Sequence, residues 1–157
     1  GCSNVAVVLS GSRTSAKLAR AEAFIAIMED HRIPVTQWSQ GRNTYETGIA
    51  AAHGLLGKLG IDGIFGVTDE IALGVMNTAR HELGLSVPDD VSVIGFDDAP
   101  ISDWSPHQLT TVSQSLSSLT QATLKAITGP ANAPSSHHFI PVRLVERSSV
   151  RPASAAT

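Results

Sequence analysis

The chain has 157 residues, about the length of one domain and enough to bury a substantial hydrophobic core. Apolar residues make up 42%, so we expect a globular chain and not a disordered one. The net charge of −3 and the aromatic content of 4% exclude a whole-chain nucleic-acid interface built on basic patches and stacking rings.

The first half of the chain alternates short apolar runs with segments of helical periodicity. A continuous apolar run predicts a buried strand, and the polar turn after it, which contains Thr14, can cap a helix. Pro34 separates the first helix from the next strand. Gly60 is expected to end the second helix, whose inward face includes Leu59. The predicted elements are strands at 5–9 and 35–38, and helices at 16–31 and 44–59.

The second half continues the alternation through a segment with two acidic turns. The predicted strands at 61–67 and 91–96 each run directly into carboxylates, and between them Gly84 ends a helix. The other predicted elements are a helix at 70–83 and, after a proline-bearing loop, a short extended piece at 109–112, a helix at 116–127, a flexible loop at 131–136, a strand at 139–146 and a frayed tail at 147–157.

This alternation of strands and helices predicts the fold class. Successive βαβ units are right-handed and build parallel sheets. We therefore predict an α/β fold, with an open, mostly parallel sheet and helices on both of its faces. Cys2 is the only cysteine, so no intrachain disulfide can form and a cytoplasmic location is favoured. No apolar run is long enough to cross a membrane.

Four polar loops are expected at the carboxyl edge of this sheet, where open α/β folds bind ligands. Carboxylates there accept hydrogen bonds from hydroxyl groups, and a guanidinium offers a rigid fork of donors, so the lining suits a neutral polyol or a nucleobase-like ligand. The loops carry Ser12, Arg13, Thr14 and Ser15; Ser39, Gln40, Arg42 and Asn43; Thr68 and Asp69; and Asp97 and Asp98.

The three carboxylates of these loops admit more than one role. Asp69 either caps the third helix or contacts the ligand, and the sequence leaves both open. Asp97 is favoured as a ligand contact, and Asp98 as a structural group that satisfies loop amides. Together they could also hold magnesium, which keeps a magnesium-dependent enzyme as an alternative.

Other catalytic or metal-binding motifs are not supported. The run from Leu55 to Gly60 superficially resembles a phosphate loop, but it falls within a predicted helix and no Ser or Thr follows Lys58. The pair His137 and His138 is interpreted as an exposed loop, and a Gly-x-Ser-x-Gly nucleophile motif does not occur. We therefore assign no catalytic residue, no metal and no cofactor.

Six runs occur in order along nearly the whole chain and carry a resemblance to a known family: Arg20 to Phe24, Tyr45 to Gly48, Ile64 to Gly74, Gly84 to Asp98, Leu109 to Gln114 and Pro141 to Ser149. They resemble the lactose-repressor/galactose-repressor (LacI/GalR) family of bacterial regulators. That family's ligand domain has two lobes of the type I periplasmic-binding-protein fold, which close on a small effector, and a helix-turn-helix headpiece precedes it.

The resemblance implies a domain organisation. Residues 1–149 would form the second lobe, 109–128 would be the crossover segment toward a first lobe that is missing here, and 150–157 would be a flexible tail. DNA would be bound only through a headpiece that this chain lacks. The face that normally meets the first lobe would be apolar, so self-association is expected.

The resemblance also implies roles for individual residues. Arg20 and Asp97 match the family's effector-binding arginine and aspartate. Thr68 stands where the family often has asparagine, Asn43 where many members have a stacking aromatic ring, and Gln114 matches a glutamine near the hinge. With Thr14 from the first loop, these are the predicted ligand-binding residues.

The implied function is the sensing of a sugar or a related polar metabolite within a homodimeric regulator of transcription. Ligand binding between the lobes would favour a closed state and change the spacing of two headpieces. Besides the magnesium-dependent enzyme, an exported sugar-binding protein of a transport system stays open. The sequence upstream would distinguish them, because a transport protein would carry a signal peptide.

Overall fold

A computed structural model describes residues 1–12, 14–57, 59–129 and 139–152. Predictions that concern Arg13, Lys58, the loop at 131–136, the histidine pair and the last five residues lie outside this part. The elements are β1 Val5–Leu9, α1 Ser15–Asp30, β2 Val35–Ser39, α2 Tyr45–Leu55, β3 Gly63–Gly66, α3 Asp69–His81, β4 Ser92–Phe96, a 3-10 helix Pro100–Asp103, β5 Thr110–Gln114, α4 Leu116–Thr128 and β6 Val142–Val145.

The strands form one sheet in the order β2-β1-β3-β4-β5-β6. The first five strands are parallel, and β6 runs antiparallel to β5. The crossover from β1 to β2 moves across the sheet in the opposite direction to the next two crossovers. Right-handed connections therefore place α1 on one face, with α2 and α3 on the other. The predicted α/β fold class is confirmed.

The core lies on both faces of the central strands. All five residues of β1 are buried, as its continuous apolar run predicts for a strand covered on both sides. On the face of α1, the rings of Phe24 and Phe65 pack with their centroids 5.1 Å apart. This packing brings α1 over β3 and positions the first turns of the helix near the carboxyl ends of the strands.

On the opposite face, α2 and α3 pack at backbone contact. A Cβ atom added to Gly48 would lie 2.2 Å from the carbonyl oxygen of Ile71, and one added to Gly74 would lie 2.1 Å from the carbonyl oxygen of Tyr45. Larger residues at these two positions would force the helices apart. The glycines therefore fix how closely the two helices approach.

The second helix ends earlier than predicted. It stops at Leu55, and Gly57 then adopts a left-handed conformation with φ of 77°. Leu55 and Leu56 are buried, whereas Leu59 is 49% exposed. The predictions that Gly60 ends the helix and that Leu59 lies on its inward face are both wrong, because Gly57 offers the left-handed conformation one turn earlier.

The segment after β6 is anchored and not frayed. Ser149 is fully buried, and its hydroxyl donates to the carbonyl oxygen of Val93 at 2.6 Å and accepts from the amide of Thr110 at 2.8 Å. Arg151 donates to the carbonyl oxygens of Asp89 and Asp62. The expectation of a frayed tail is therefore wrong for residues 147–151, since these contacts tie the segment to β4 and β5.

Helix α4 and strand β6 carry exposed apolar side chains. No residue of α4 is buried, and Leu116 and Ile127 are 74% and 77% exposed. Phe139 is 96% exposed, and half of the surface of Val142 in β6 is open. Much of the exposed apolar surface of the described residues therefore lies on this helix and beside this edge strand.

None of the helices in the described ranges combines the length and the apolar character that crossing a membrane requires.

Substituting Gly74 by Ala tests the close packing of α2 and α3. Helix propensity alone would favour alanine by about 1 kcal/mol, but the added methyl meets the backbone of α2. We expect Gly74→Ala to lower the free energy of unfolding by about 1–3 kcal/mol, measured by urea denaturation.

The reverse substitution at an exposed position of α2 is the matched control. Ala50 lies on the exposed side of α2, so Ala50→Gly reports helix propensity without packing. A Gly74→Ala protein that is more stable than the parent would contradict the proposed contact.

Candidate functional site

The site begins with Arg20, which projects from the second turn of α1 toward the ends of two strands. Its Nη1 atom donates to the carbonyl oxygen of Val67 at 2.9 Å, just beyond β3. The same atom lies 3.3 Å from Oδ1 of Asp97, just beyond β4. One guanidinium thus joins α1 to two neighbouring strand ends.

The ring of Phe96 further fixes the Arg20 side chain. The guanidinium carbon lies 3.7 Å from the ring centroid, within the range of a cation–π contact. The Arg20 side chain is only 17% exposed. An arginine held by a carbonyl, a ring face and a carboxylate has few accessible conformers. It is therefore a preorganised group and not a mobile surface ion pair.

Asp97 occupies a strained turn directly after β4. Its φ of 125° lies in a region that side-chain-bearing residues rarely adopt, and its amide donates to the carbonyl oxygen of Val112 at 2.9 Å. The carboxylate remains 41% exposed beside Arg20. Strain of this kind persists only when the surroundings hold it, and it concentrates at functional sites.

The environment of Asp97 changes its acidity. Burial raises its pKa above the ordinary value; the positive charge of Arg20 opposes this rise, and the negative charge of Asp69 adds to it. The pKa of Asp97 is raised overall, because its partial desolvation disfavours the charged form.

The predicted selectivity residues Thr68 and Asn43 lie together. Thr68 is the residue before α3 and is nearly buried, and its hydroxyl donates to the Asn43 side-chain oxygen at 3.3 Å. Thr68 directly follows Val67, whose carbonyl binds Arg20. The structure thus places four of the predicted site residues around the ends of β3 and β4.

Asp98, the second carboxylate of the turn, is bound by Arg147. The Nη2 atom of Arg147 lies 2.9 Å from Oδ1 of Asp98, and the arginine side chain is only 11% exposed. Burial by itself would raise the pKa of Asp98, but the hydrogen bond and charge of Arg147 prevail, so this pKa is lowered. Asp98 is therefore a scaffold group, as predicted.

Sequence reasoning missed Arg147, because it placed this residue in a frayed tail. Besides Asp98, its guanidinium binds Oδ1 of Asp103 at 3.0 Å and the carbonyl oxygen of Leu109 at 2.8 Å. The one available indication was its place within the run from Pro141 to Ser149, which suggested a structured segment without suggesting a partner.

Asp69 is buried among hydroxyl and amide donors. Its Oδ2 accepts from the amide of Ala99 and the hydroxyl of Ser102, both at 2.7 Å, and its Oδ1 accepts from the hydroxyl of Thr111. It is the first residue of α3, and Thr68 stands at the cap position, where its side chain makes no capping hydrogen bond. The capping role considered for Asp69 is therefore wrong, and its carboxylate is directed toward the loop after β4.

Thr14 and Gln114 are not brought into this group. Thr14 is an exposed cap residue of α1 without a side-chain hydrogen bond, and Gln114 ends β5, where it pairs with Val142. Among the described residues, no hydrogen bond or ion pair links either one to Arg20 or Asp97. Their roles as ligand contacts remain predictions.

The two tryptophans lie at the rim of the fold. Trp38 is half-buried on β2 and lines a cavity of about 420 Å³ together with Gln40, Arg42 and Glu46. Trp104 is 58% exposed at the end of the 3-10 helix. Neither of them contacts the Arg20 guanidinium, for which Phe96 supplies the aromatic face.

The carboxylates are arranged unlike a magnesium site. Asp69 is occupied by hydroxyl and amide donors, Asp97 faces Arg20 and Asp98 faces Arg147. Within the ranges that the structure describes, no three His, Cys, Asp or Glu side chains are grouped as a metal ion would require. Carboxylates that each have their own partner do not offer a shared cation site.

The family model and the related sequences that match this chain agree with one another. The model of the periplasmic binding protein-like domain matches residues 1–150. A transcriptional regulator named GalS from Salmonella typhimurium is 31% identical over 157 residues, which cover 96% of this chain and 46% of that protein. The regulator MalR from Streptomyces coelicolor is 38% identical over 109 residues, covering 68% and 31% respectively. The chain thus spans less than half the length of these relatives.

Solved structures share the same fold. A LacI-family regulator from Corynebacterium glutamicum superposes with a TM-score of 0.80 at 28% identity, over 97% of this chain and 60% of that one. A LacI-family regulator from Enterococcus faecium with bound ribose gives 0.80 at 27% identity, with 98% and 58% covered. One from Lactobacillus casei with bound sucrose gives 0.75 at 28%, with 96% and 58% covered.

The pKa values of the two adjacent carboxyls of the turn, Asp97 and Asp98, should be shifted in opposite directions. Both have an ordinary pKa of 3.8, which folding raises for Asp97 and lowers for Asp98. Carbon-detected NMR of the side-chain carboxyls should therefore show Asp98 losing its proton at lower pH than Asp97.

The two shifts have opposite consequences for stability. Asp97 stabilises the fold below its unfolded pKa, and this contribution is lost as pH rises through its folded value. Asp98 stabilises the fold above its unfolded pKa, and this contribution is lost as pH falls through its folded value. Arg147→Gln should raise the pKa of Asp98 and leave that of Asp97 unchanged. If Asp97 lost its proton at lower pH than Asp98 in the parent protein, the described turn would be wrong.

Proposed function

Because the chain belongs to the family of periplasmic binding protein-like domains, we propose that it forms the effector-sensing part of a LacI-type regulator of transcription. The proposed effector is a sugar or a closely related polar metabolite, and the protein binds it without catalysing a reaction. The observation that carries this proposal is the Arg20–Asp97 pair at the carboxyl edge of the sheet.

The chemistry of this pair favours a neutral polyol. The charges of Arg20 and Asp97 compensate each other, so the pair offers donors and an acceptor without net attraction for an ion. Asp97 can accept from a sugar hydroxyl, and Arg20 can donate to hydroxyl or ring oxygens. Because both polar contacts of Arg20 with the protein use Nη1, the other nitrogens of the guanidinium supply further donors.

Thr68 and Asn43 are proposed to select among sugars. They are hydrogen-bonded to each other next to the Arg20 contact, so a ligand hydroxyl would have to compete with or extend their bond. In our proposal Asn43 replaces the aromatic ring that many LacI/GalR members use for stacking. Selectivity would then depend more on hydroxyl pattern and less on the apolar face of a sugar ring.

The effector would act by a population shift. In the proposed complete protein the first lobe would face this site, and the ligand would favour the closed arrangement because only that state offers contacts from both sides. The complete protein would be a homodimer that binds DNA through paired headpieces outside this chain. The place of action would be the cytoplasm. The related proteins named as transcriptional regulators support this reading over a transport protein.

The exposed apolar face of α4 is proposed to meet that first lobe. The exposed apolar residues Leu116, Leu119 and Ile127 lie on one side of the helix, and Lys125 lies on the other side. Residues 1–149 would form one lobe, with 109–128 as the crossover. In the isolated chain this face would be free for self-association.

Loss of the Asp97 charge tests effector binding. Isothermal titration of the full natural protein that contains these residues, with ribose, sucrose and lactose, should identify a binding sugar. Asp97→Asn should weaken its binding about tenfold to a hundredfold, because a hydrogen bond to a charged group contributes about 1.5–3 kcal/mol.

The control is an exposed carboxylate far from the site in the fold. Asp89 lies in the turn before β4, and among the described residues only its backbone carbonyl takes part in a hydrogen bond, with Arg151. Asp89→Asn should leave the affinity unchanged. Equal affinities for the parent and Asp97→Asn proteins would exclude the proposed site, and magnesium binding that depends on Asp97 would exclude the proposed function.

Cysteine labelling tests the proposed lobe contact. In the full natural protein, a cysteine introduced as Ile127→Cys should react with a maleimide at least tenfold more slowly than one introduced as Lys125→Cys on the opposite side of α4. Equal labelling rates, read by mass spectrometry of the α4 peptide, would show that this helix face remains open to solvent.

A further inference from the structure

Asp69 is a charged residue buried at the start of α3, with an exposed fraction of 2%. A buried carboxylate is costly unless hydrogen bonds satisfy it. Its two oxygens accept three hydrogen bonds, from the amide of Ala99 and from the hydroxyls of Ser102 and Thr111. The proximity of the α3 amino terminus adds a favourable partial charge.

The backbone of β4 leaves space for this carboxylate. A Cβ atom added to Gly95 would lie 2.2 Å from Oδ1 of Asp69. Any larger residue at position 95 would therefore displace the carboxylate from its partners. The position of the Asp69 carboxylate on α3 therefore requires glycine at position 95 of β4.

The groups that Asp69 binds surround the turn that carries Asp97. Ala99 and Ser102 follow this turn in the chain, and Thr111 lies beside it on β5. The Thr111 hydroxyl, which donates to Asp69, also lies 3.4 Å from the amide of Asp98 as its acceptor. Asp69 is thus connected to the turn in two ways, through the residues that follow the turn and through Thr111 on β5.

The turn requires such support. Asp97 and Asp98 have φ values of 125° and 54°, which side-chain-bearing residues rarely adopt unless the surrounding structure holds them. A turn that relaxed to ordinary backbone angles would move the Asp97 carboxylate away from Arg20. The donors gathered by Asp69 make that relaxation unfavourable, because it would leave a buried charge without partners.

We propose that Asp69 is a positioning residue for the effector site: it fixes the Asp97 turn to the start of α3, so that Asp97 and Thr68 face the ligand as one rigid unit. Thr68 immediately precedes Asp69, so the same residue that holds the turn also sets the place of the selectivity hydroxyl. This inference rests on the proposed function for its ligand, but the local order that it describes exists without ligand.

Substitutions of Thr111 provide the sharpest test, because they change one hydroxyl and leave Asp69 in place. Thr111→Val removes the donor to Asp69 and the acceptor for the Asp98 amide, whereas Thr111→Ser keeps both. In hydrogen-exchange NMR, Thr111→Val should speed exchange of the Asp98 and Ala99 amides at least tenfold. Thr111→Ser should leave them unchanged, and amides of β1 should not change in either variant.

A second variant and a control separate positioning from general stability. Asp69→Asn should speed exchange at the same two amides. Thr78→Val is the matched control, because Thr78 is a buried threonine of α3 whose hydroxyl has no hydrogen-bond partner within the described residues. It should leave the exchange of both amides at the parent rate.

Titration of ribose, sucrose and lactose into the same proteins gives the second readout. For a sugar that binds the parent, Thr111→Val should weaken binding about tenfold and Thr111→Ser should restore it. Unchanged exchange at Asp98 and Ala99 in Thr111→Val, or faster exchange spread equally over β1, would overturn the positioning role. Locally faster exchange in a protein that binds none of these sugars would instead reject these three sugars as effectors and retain the fixed turn.

Discussion

The arrangement of the sheet edge depends on the burial of one carboxylate. Asp69 gathers donors from the loop after β4 and from β5, which lies 42 residues further along the chain at Thr111. Apolar packing could bring these segments together, but it would not fix their rotation, because hydrophobic contact is non-directional. Hydrogen bonds to a charge are directional and, at a desolvated position, costly to break. They can therefore hold a backbone turn in a conformation that it would not adopt alone.

The parallel sheet supplies the other constraint. Adjacent parallel strands end at the same edge, so residues that follow β3 and β4 become neighbours although about thirty positions separate them in the chain. Arg20 uses this arrangement by binding the carbonyl after β3 and the carboxylate after β4 with one nitrogen. The packing of Phe24 on Phe65 brings α1 close enough for that reach. The site therefore depends on helix packing as well as on the loops that form its surface.

The sequence was sufficient for the fold and for part of the site. Apolar runs, helical periodicity and the acidic turns predicted every strand and α-helix, because these features depend on residues close in sequence. The meeting of Arg20 with Asp97 came from resemblance alone, since an arginine on an exposed helix is ordinarily part of a surface ion pair. The residues that were misassigned, Arg147 and Ser149, have partners distant in sequence, and their own small, polar neighbourhood resembles a tail. Helix α2 ended early because two glycines compete as stop positions and only packing decides between them.

The three acidic residues of this edge show how one chemical group takes different roles through its surroundings. Asp69 is saturated by hydroxyl and amide donors, and Asp98 is held by an arginine that is itself almost buried. Asp97 alone keeps a largely accessible carboxylate, and its partner Arg20 is fixed from the other side by Phe96. The two enclosed acids thus provide the rigidity that the accessible one lacks, because a half-exposed carboxylate on a strained turn has too few contacts of its own to hold its position. A ligand that enters this edge would therefore meet one oriented carboxylate and one oriented guanidinium, and not a diffuse cluster of negative charge. Such a surface recognises the pattern of hydroxyl groups in a ligand more than its net charge.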